Sequence, residues 1–81
     1  MVNVELTQKI TEMFSKAFRL KASDIKPSTN VYKELGADSL DILSFVALVE
    51  DEFNLNINDE EVKKMYSVEK VLELLNEKGI D

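Results

Sequence analysis

The sequence predicts an all-α fold, a small four-helix bundle with a long loop between its first two helices and a short third helix. Two observations carry that expectation. Apolar residues recur at intervals of three and four along most of the chain, and one Pro and two Gly in 81 residues leave little to interrupt a helix. A third observation bounds the size. At 81 residues without a single Cys, the chain reads as one domain, residues 1–81, near the lower limit for a fold held by an apolar core alone.

The first helix is expected over about residues 3 to 19, where Leu6, Ile10, Met13, Phe14, Ala17 and Phe18 form one apolar stripe and Asn3 suits an N-cap. A stretch of about 19 residues follows, LKASDIKPSTNVYKELGAD. Connections that long are uncommon in small domains, and usually have a function or contain a turn of their own. Ile25, Val31, Tyr32 and Leu35 can pin this one over the bundle. The second helix is expected from Ser39 to Phe53, with Asp38 as its cap and Asp41 placing negative charge at the positive helix end. A short third helix is expected over Asp59 to Met65, where Asn58 and Glu61 have the spacing of a capping box. The fourth follows the Ser67 cap, buries Val68, Val71, Leu72, Leu74 and Leu75, and stops at Gly79.

Composition removes most chemistry. Without His and Cys there is no ordinary general base, no thiolate nucleophile and no zinc-thiolate site, so the chain is not expected to be an enzyme or to hold a metal. The opening MVNVELTQKI has no secretory pattern and no window approaches a membrane span, so a soluble, cytoplasmic protein is expected; a monomer is expected as well.

The net charge of -6 is unevenly placed. Residues 1 to 33 hold six basic and three acidic side chains, and residues 63 to 81 hold four of each. Between them stand nine carboxylates (Glu34, Asp38, Asp41, Glu50, Asp51, Glu52, Asp59, Glu60 and Glu61) with no Lys or Arg. Such a segment repels nucleic acid and attracts basic partners, and it can also serve simply as a solvated face. A calcium loop does not fit, because alternate positions from Asp51 are Phe53, Leu55 and Ile57, where oxygen ligands would be needed. Diffuse divalent binding is expected instead. A carboxylate-based hydrolase would need a cleft that a small bundle does not provide.

The second helix carries more apolar residues than one buried face requires. Ile42, Phe45, Val46, Val49 and Phe53 make a core stripe, whereas Leu40, Leu43 and Ala47 lie off it among Asp41, Ser44, Glu50 and Asp51. These outer residues either pack under the long loop or form a docking strip, in which the apolar part supplies affinity and the charges set on-rate and register.

Ser39 is a poor catalytic nucleophile, because no neighbouring base can activate it. It is a good acceptor for a phosphate-linked group, since the start of a helix favours an added anion and Gly36 and Ala37 leave the approach uncrowded.

The run LGADSLD, then an amphipathic helix ending EDEF, then INDEE and SVEKVLELL, resembles the acyl carrier protein family from the first helix to about Gly79. The resemblance implies that a separate phosphopantetheinyl transferase attaches 4'-phosphopantetheine from coenzyme A to Ser39, so that the reactive thiol arrives on the arm and holds acyl groups as thioesters. It implies that Asp38 and Leu40 help present the serine, and that Asp41, Glu50 and Asp51 join the recognition helix. With Leu43, Ser44 and Ala47 these make the expected partner face. The partners implied are acyl-transfer, ketosynthase, reductase and dehydratase enzymes with basic docking patches, and the pathway is fatty acid biosynthesis. The resemblance also implies an acyl pocket lined by Phe45, Val46, Val49, Met65 and Leu72, opened when the second and third helices separate, with the short third helix as the mobile piece.

Four positions depart from the family's usual pattern. Ser44 stands where Glu is common, Phe45 where an aliphatic residue is frequent, Asn58 where Pro is common and Tyr66 where Thr is common. They leave open a dedicated carrier of a specialised pathway (polyketide, lipid-modifying or aminoacyl). An unmodified helical interaction module is the alternative from another class.

Overall fold

In the computed structural model residues 4–34 and 38–80 are described, and they form helices and connecting turns with no strand among them. Five α-helices are present among the described residues, α1 at Val4–Phe18, α2 at Val31–Glu34, α3 at Ser39–Phe53, α4 at Asp59–Val62 and α5 at Val68–Glu77, with a 3-10 turn at Ala22–Asp24. The expected first, second and fourth helices are α1, α3 and α5.

One expectation is made specific and one needs correction. The long connection contains turns of its own, the 3-10 turn and α2. The Asn30 side chain accepts from the N–H groups of Tyr32 and Lys33, both at 3.1 Å, while Glu34 accepts from Asn30 N–H at 2.7 Å. That reciprocal cap stabilises a single turn too short for apolar periodicity to show. The third helix ends at Val62 rather than Met65, because Lys64 N–H bonds to the Glu61 carbonyl at 3.0 Å and Met65 N–H to the Val62 carbonyl at 3.1 Å. These three-residue spacings tighten the chain and turn Met65 into the core, where it is fully buried.

Helix ends follow local chemistry. Asn3, expected to cap α1, lies outside the described residues. At its other end Arg19 adopts the left-handed conformation (φ 57), and Leu20 N–H reaches the Ser15 carbonyl at 3.0 Å. Ser67 caps α5 by accepting from Lys70 N–H at 3.2 Å, and Gly79 closes it at φ 87.

α1 packs chiefly against α3, and then against α5. One apolar core joins Ile10, Phe14, Val31, Phe45, Val49, Met65, Val71 and Leu75, all without exposure. Phe14 and Phe45 stack with ring centroids 4.0 Å apart and planes inclined by 13°. Phe18 joins them at 5.7 Å from Phe14 and 5.9 Å from Phe45. The connection is pinned across the bundle by Val31 N–H to the Tyr66 carbonyl at 2.8 Å and Glu69 N–H to the Pro27 carbonyl at 3.1 Å. Among the described residues no helix is long and apolar enough to cross a membrane.

Candidate functional site at the start of helix α3

Asp38 has extended backbone (φ −90, ψ 170), and its side chain accepts from Asp41 N–H at 3.0 Å, so α3 begins at Ser39 as expected. Ser39 is exposed. Its hydroxyl stands in the first turn, where backbone N–H groups lack intrahelical partners and the helix dipole is positive. That setting suits a phosphodiester: the acceptor oxygen is reachable, and an anion there is favoured rather than repelled. Gly36 and Ala37, expected to keep the approach open, and Leu35 lie outside the described residues.

Along the outer face of α3, Leu40 is 73% exposed, Leu43 60% and Leu48 40%. Ser44, Ala47 and Asp51 are exposed beside them, and Asp41 is half-buried. The described part of the long connection therefore does not cover Leu40 and Leu43. Burying one Leu side chain stabilises by roughly 1.5–3 kcal/mol, so this strip withholds apolar surface from the fold. Leu48 escaped the sequence reading. It sits eight residues after Leu40 and four after Ser44, so helical spacing alone could have placed it on the strip.

Glu50 is turned to an internal task. Half-buried, its carboxylate accepts from Ile57 N–H at 2.9 Å and ties the end of α3 to the approach to α4. Three other carboxylates of the acidic segment are tied to lysines: Glu52 to Lys9 at 2.8 Å, Glu61 to Lys78 at 2.9 Å and Glu60 to Lys63 at 3.7 Å. Glu61 also completes the expected capping box with Asn58. The N–H of Asn58 first, and Lys78 second, hold its carboxyl below the usual range. Among the described residues no three carboxylates stand close enough to hold a metal ion.

Of the five residues expected to line an acyl pocket, Phe45, Val46, Val49 and Met65 are buried in the closed core and Leu72 is half-buried against it. Two surface grooves, one at Lys64, Tyr66 and Lys70 and one at Leu6, Lys9 and Phe53, are lined by none of the five. Tyr32, expected as an apolar pin, also makes a polar tie. Its hydroxyl donates to the Val62 carbonyl at 2.7 Å, and burial pushes its pKa up to about 12. Its ring meets Tyr66 edge to face at 6.3 Å.

The sequence profile of the phosphopantetheine attachment site matches residues 8–75. The chain is 36% identical over 79 residues to the acyl carrier protein of Buchnera aphidicola subsp. Schizaphis graminum, covering 98% of each. Its fold is similar to a solved structure of the acyl carrier protein from Enterococcus faecalis, with a TM-score of 0.74, 31% identity, and 93% of this chain and 95% of that one covered. The chain therefore belongs to the acyl carrier protein family, the phosphopantetheine-bearing carriers that pass acyl groups among acyl-processing enzymes.

Proposed function

We propose that Ser39 is the residue that accepts 4'-phosphopantetheine from coenzyme A, and that the carrier serves fatty acid biosynthesis as a cytoplasmic monomer. One observation carries the site: Ser39 is an exposed first residue of α3, directly after the Asp38 cap and directly before the exposed Leu40. The bound group supplies the thiol on which acyl chains are held as thioesters. Everything else falls to the chain. Asp38 fixes the first turn and with it the direction of the serine oxygen. With no His or Cys in the sequence, the base that takes the serine proton belongs to the phosphopantetheinyl transferase.

Leu40, Leu43, Ala47 and Leu48, edged by Asp41, Ser44 and Asp51, form the docking strip for acyl-transfer, ketosynthase, reductase and dehydratase enzymes with basic patches. Exposed apolar surface gives such a contact its affinity, and the carboxylates give it speed and register. Glu50 supports this face from within, by holding Ile57, more than by meeting a partner.

Peptide mapping after transferase treatment tests the site: the arm is expected on the peptide containing Ser39, and an arm elsewhere overturns the assignment. The mass of the acyl species on protein isolated from its host tests the pathway. Saturated and 3-hydroxy straight chains fit fatty acid synthesis. A dedicated carrier of another pathway is favoured by one specific feature, the Phe14–Phe45 stack inside the bundle. A branched, polyketide or aminoacyl group on the arm would establish it.

A further inference from the structure

A hydrocarbon chain tethered near Ser39 is unfavourable in water and gains by entering an apolar interior. The walls of this bundle differ in how readily they yield. α1 buries Ile10, Met13, Phe14 and Phe18, and α5 buries Val68, Val71, Leu74 and Leu75. α4 buries no residue fully, and its Val62 packs only partly against the core. It is fastened by polar ties to three other elements: Ile57 N–H to Glu50 on α3 at 2.9 Å, the Tyr32 hydroxyl on α2 to the Val62 carbonyl at 2.7 Å, and Lys78 after α5 to Glu61 at 2.9 Å. Hydrogen bonds of this kind can be exchanged for bonds to water at modest net cost, whereas exposing a packed apolar face cannot. The wall that gives is therefore the α4 side of the bundle.

Behind that wall the interior ends early. Phe45 lies face to face with Phe14, and Phe18 closes the cluster, so three buried rings occupy the space between α1 and α3. Close-packed rings leave no void for a chain to thread, and moving one disturbs the other two. Phe45 is six residues after Ser39, about 9 Å along the helix axis at 1.5 Å per residue. We infer that this aromatic cluster limits the acyl groups sheltered by the carrier to short ones, with Phe45 as the specificity-determining residue. The inference rests on the acyl carrier reading with its arm at Ser39.

The test uses full-length protein carrying the arm, verified by intact mass, and loaded with butyryl, octanoyl or hexadecanoyl groups. Thermal unfolding is then measured for each. Butyryl loading is expected to raise Tm by roughly 4 °C, with no further rise for octanoyl or hexadecanoyl. In Phe45→Leu the octanoyl form is expected to melt above the butyryl form. A wild-type Tm that climbs through hexadecanoyl, or that does not move with butyryl, overturns the inference. The wild-type series decides the matter even if Phe45→Leu folds poorly, and Phe18→Leu offers a second enlargement of the same space. Failure to attach the arm is seen first, in the mass, and falls on the Ser39 assignment and on this inference together.

Discussion

On its inner face α3 buries Phe45, Val46 and Val49, while on the outer face of the same helix Leu40, Leu43 and Leu48 stay exposed. Both faces are apolar, so composition does not separate them. What differs is what covers each. The inner face is closed by α1, Met65 and α5, and the outer face by nothing in the described chain. A domain of this size has little apolar surface to leave idle. The contrast teaches that one helix can serve two recognition tasks, an internal one with its own bundle and, on the function proposed above, an external one with enzymes that visit Ser39.

Substitutions on the two faces should therefore separate stability from docking. The largest effect is expected inside. Phe45→Ala removes a ring stacked on Phe14 and should cost about 3–5 kcal/mol in urea unfolding. Comparable stability of the variant would mean that the inner face is not the core it resembles. On the outer face, Leu43→Ala should leave stability within about 0.5 kcal/mol yet weaken docking to the transferase by about 1–2 kcal/mol, read as a raised KM. A large loss of stability instead would show that the strip packs within the protein.

The ties that fasten α4 to its neighbours give smaller effects. Tyr32→Phe deletes the bond to the Val62 carbonyl and should cost about 1 kcal/mol at neutral pH. Burial raises the folded pKa of Tyr32 to about 12, against about 10 unfolded. The stability it contributes is full below about pH 10 and is lost as pH rises toward 12, so the phenylalanine variant should show a flatter alkaline limb. Lys78→Met gives the smallest change. Glu61 is held below its ordinary pKa by the Asn58 N–H and then by Lys78, so its contribution is present above the usual carboxylate range and is lost as pH falls through the lowered value. The variant should lose part of that dependence, with a shallower acid limb in thermal melts. An unchanged limb would place the shift on the Asn58 bond alone.

How much of this was legible in the sequence follows the range of the interactions involved. Caps and stripes are local, so the starts of α3, α4 and α5 are legible from Asp38, Asn58 and Ser67. α2 is not. Its single turn depends on Asn30 and Glu34 capping each other, and on Val31 N–H reaching a carbonyl of Tyr66, far along the chain. The capping box at Asn58 and Glu61 marks where α4 begins but not where it ends, and the tighter turn after Val62 is what brings Met65 into the core. Glu50 falls beside the outer strip by its position and by the family resemblance, and no sequence pattern announces that its side chain also accepts from the backbone of Ile57.

The tether itself is tested most directly by intact mass after incubation with coenzyme A and a broad-specificity phosphopantetheinyl transferase, comparing wild type, Ser39→Ala and Ser44→Ala, with circular dichroism to show that all three fold. The account predicts a gain of one phosphopantetheine in the wild type and Ser44→Ala, and none in Ser39→Ala. A folded Ser39→Ala that still gains the arm, or a folded wild type that never does, would contradict it.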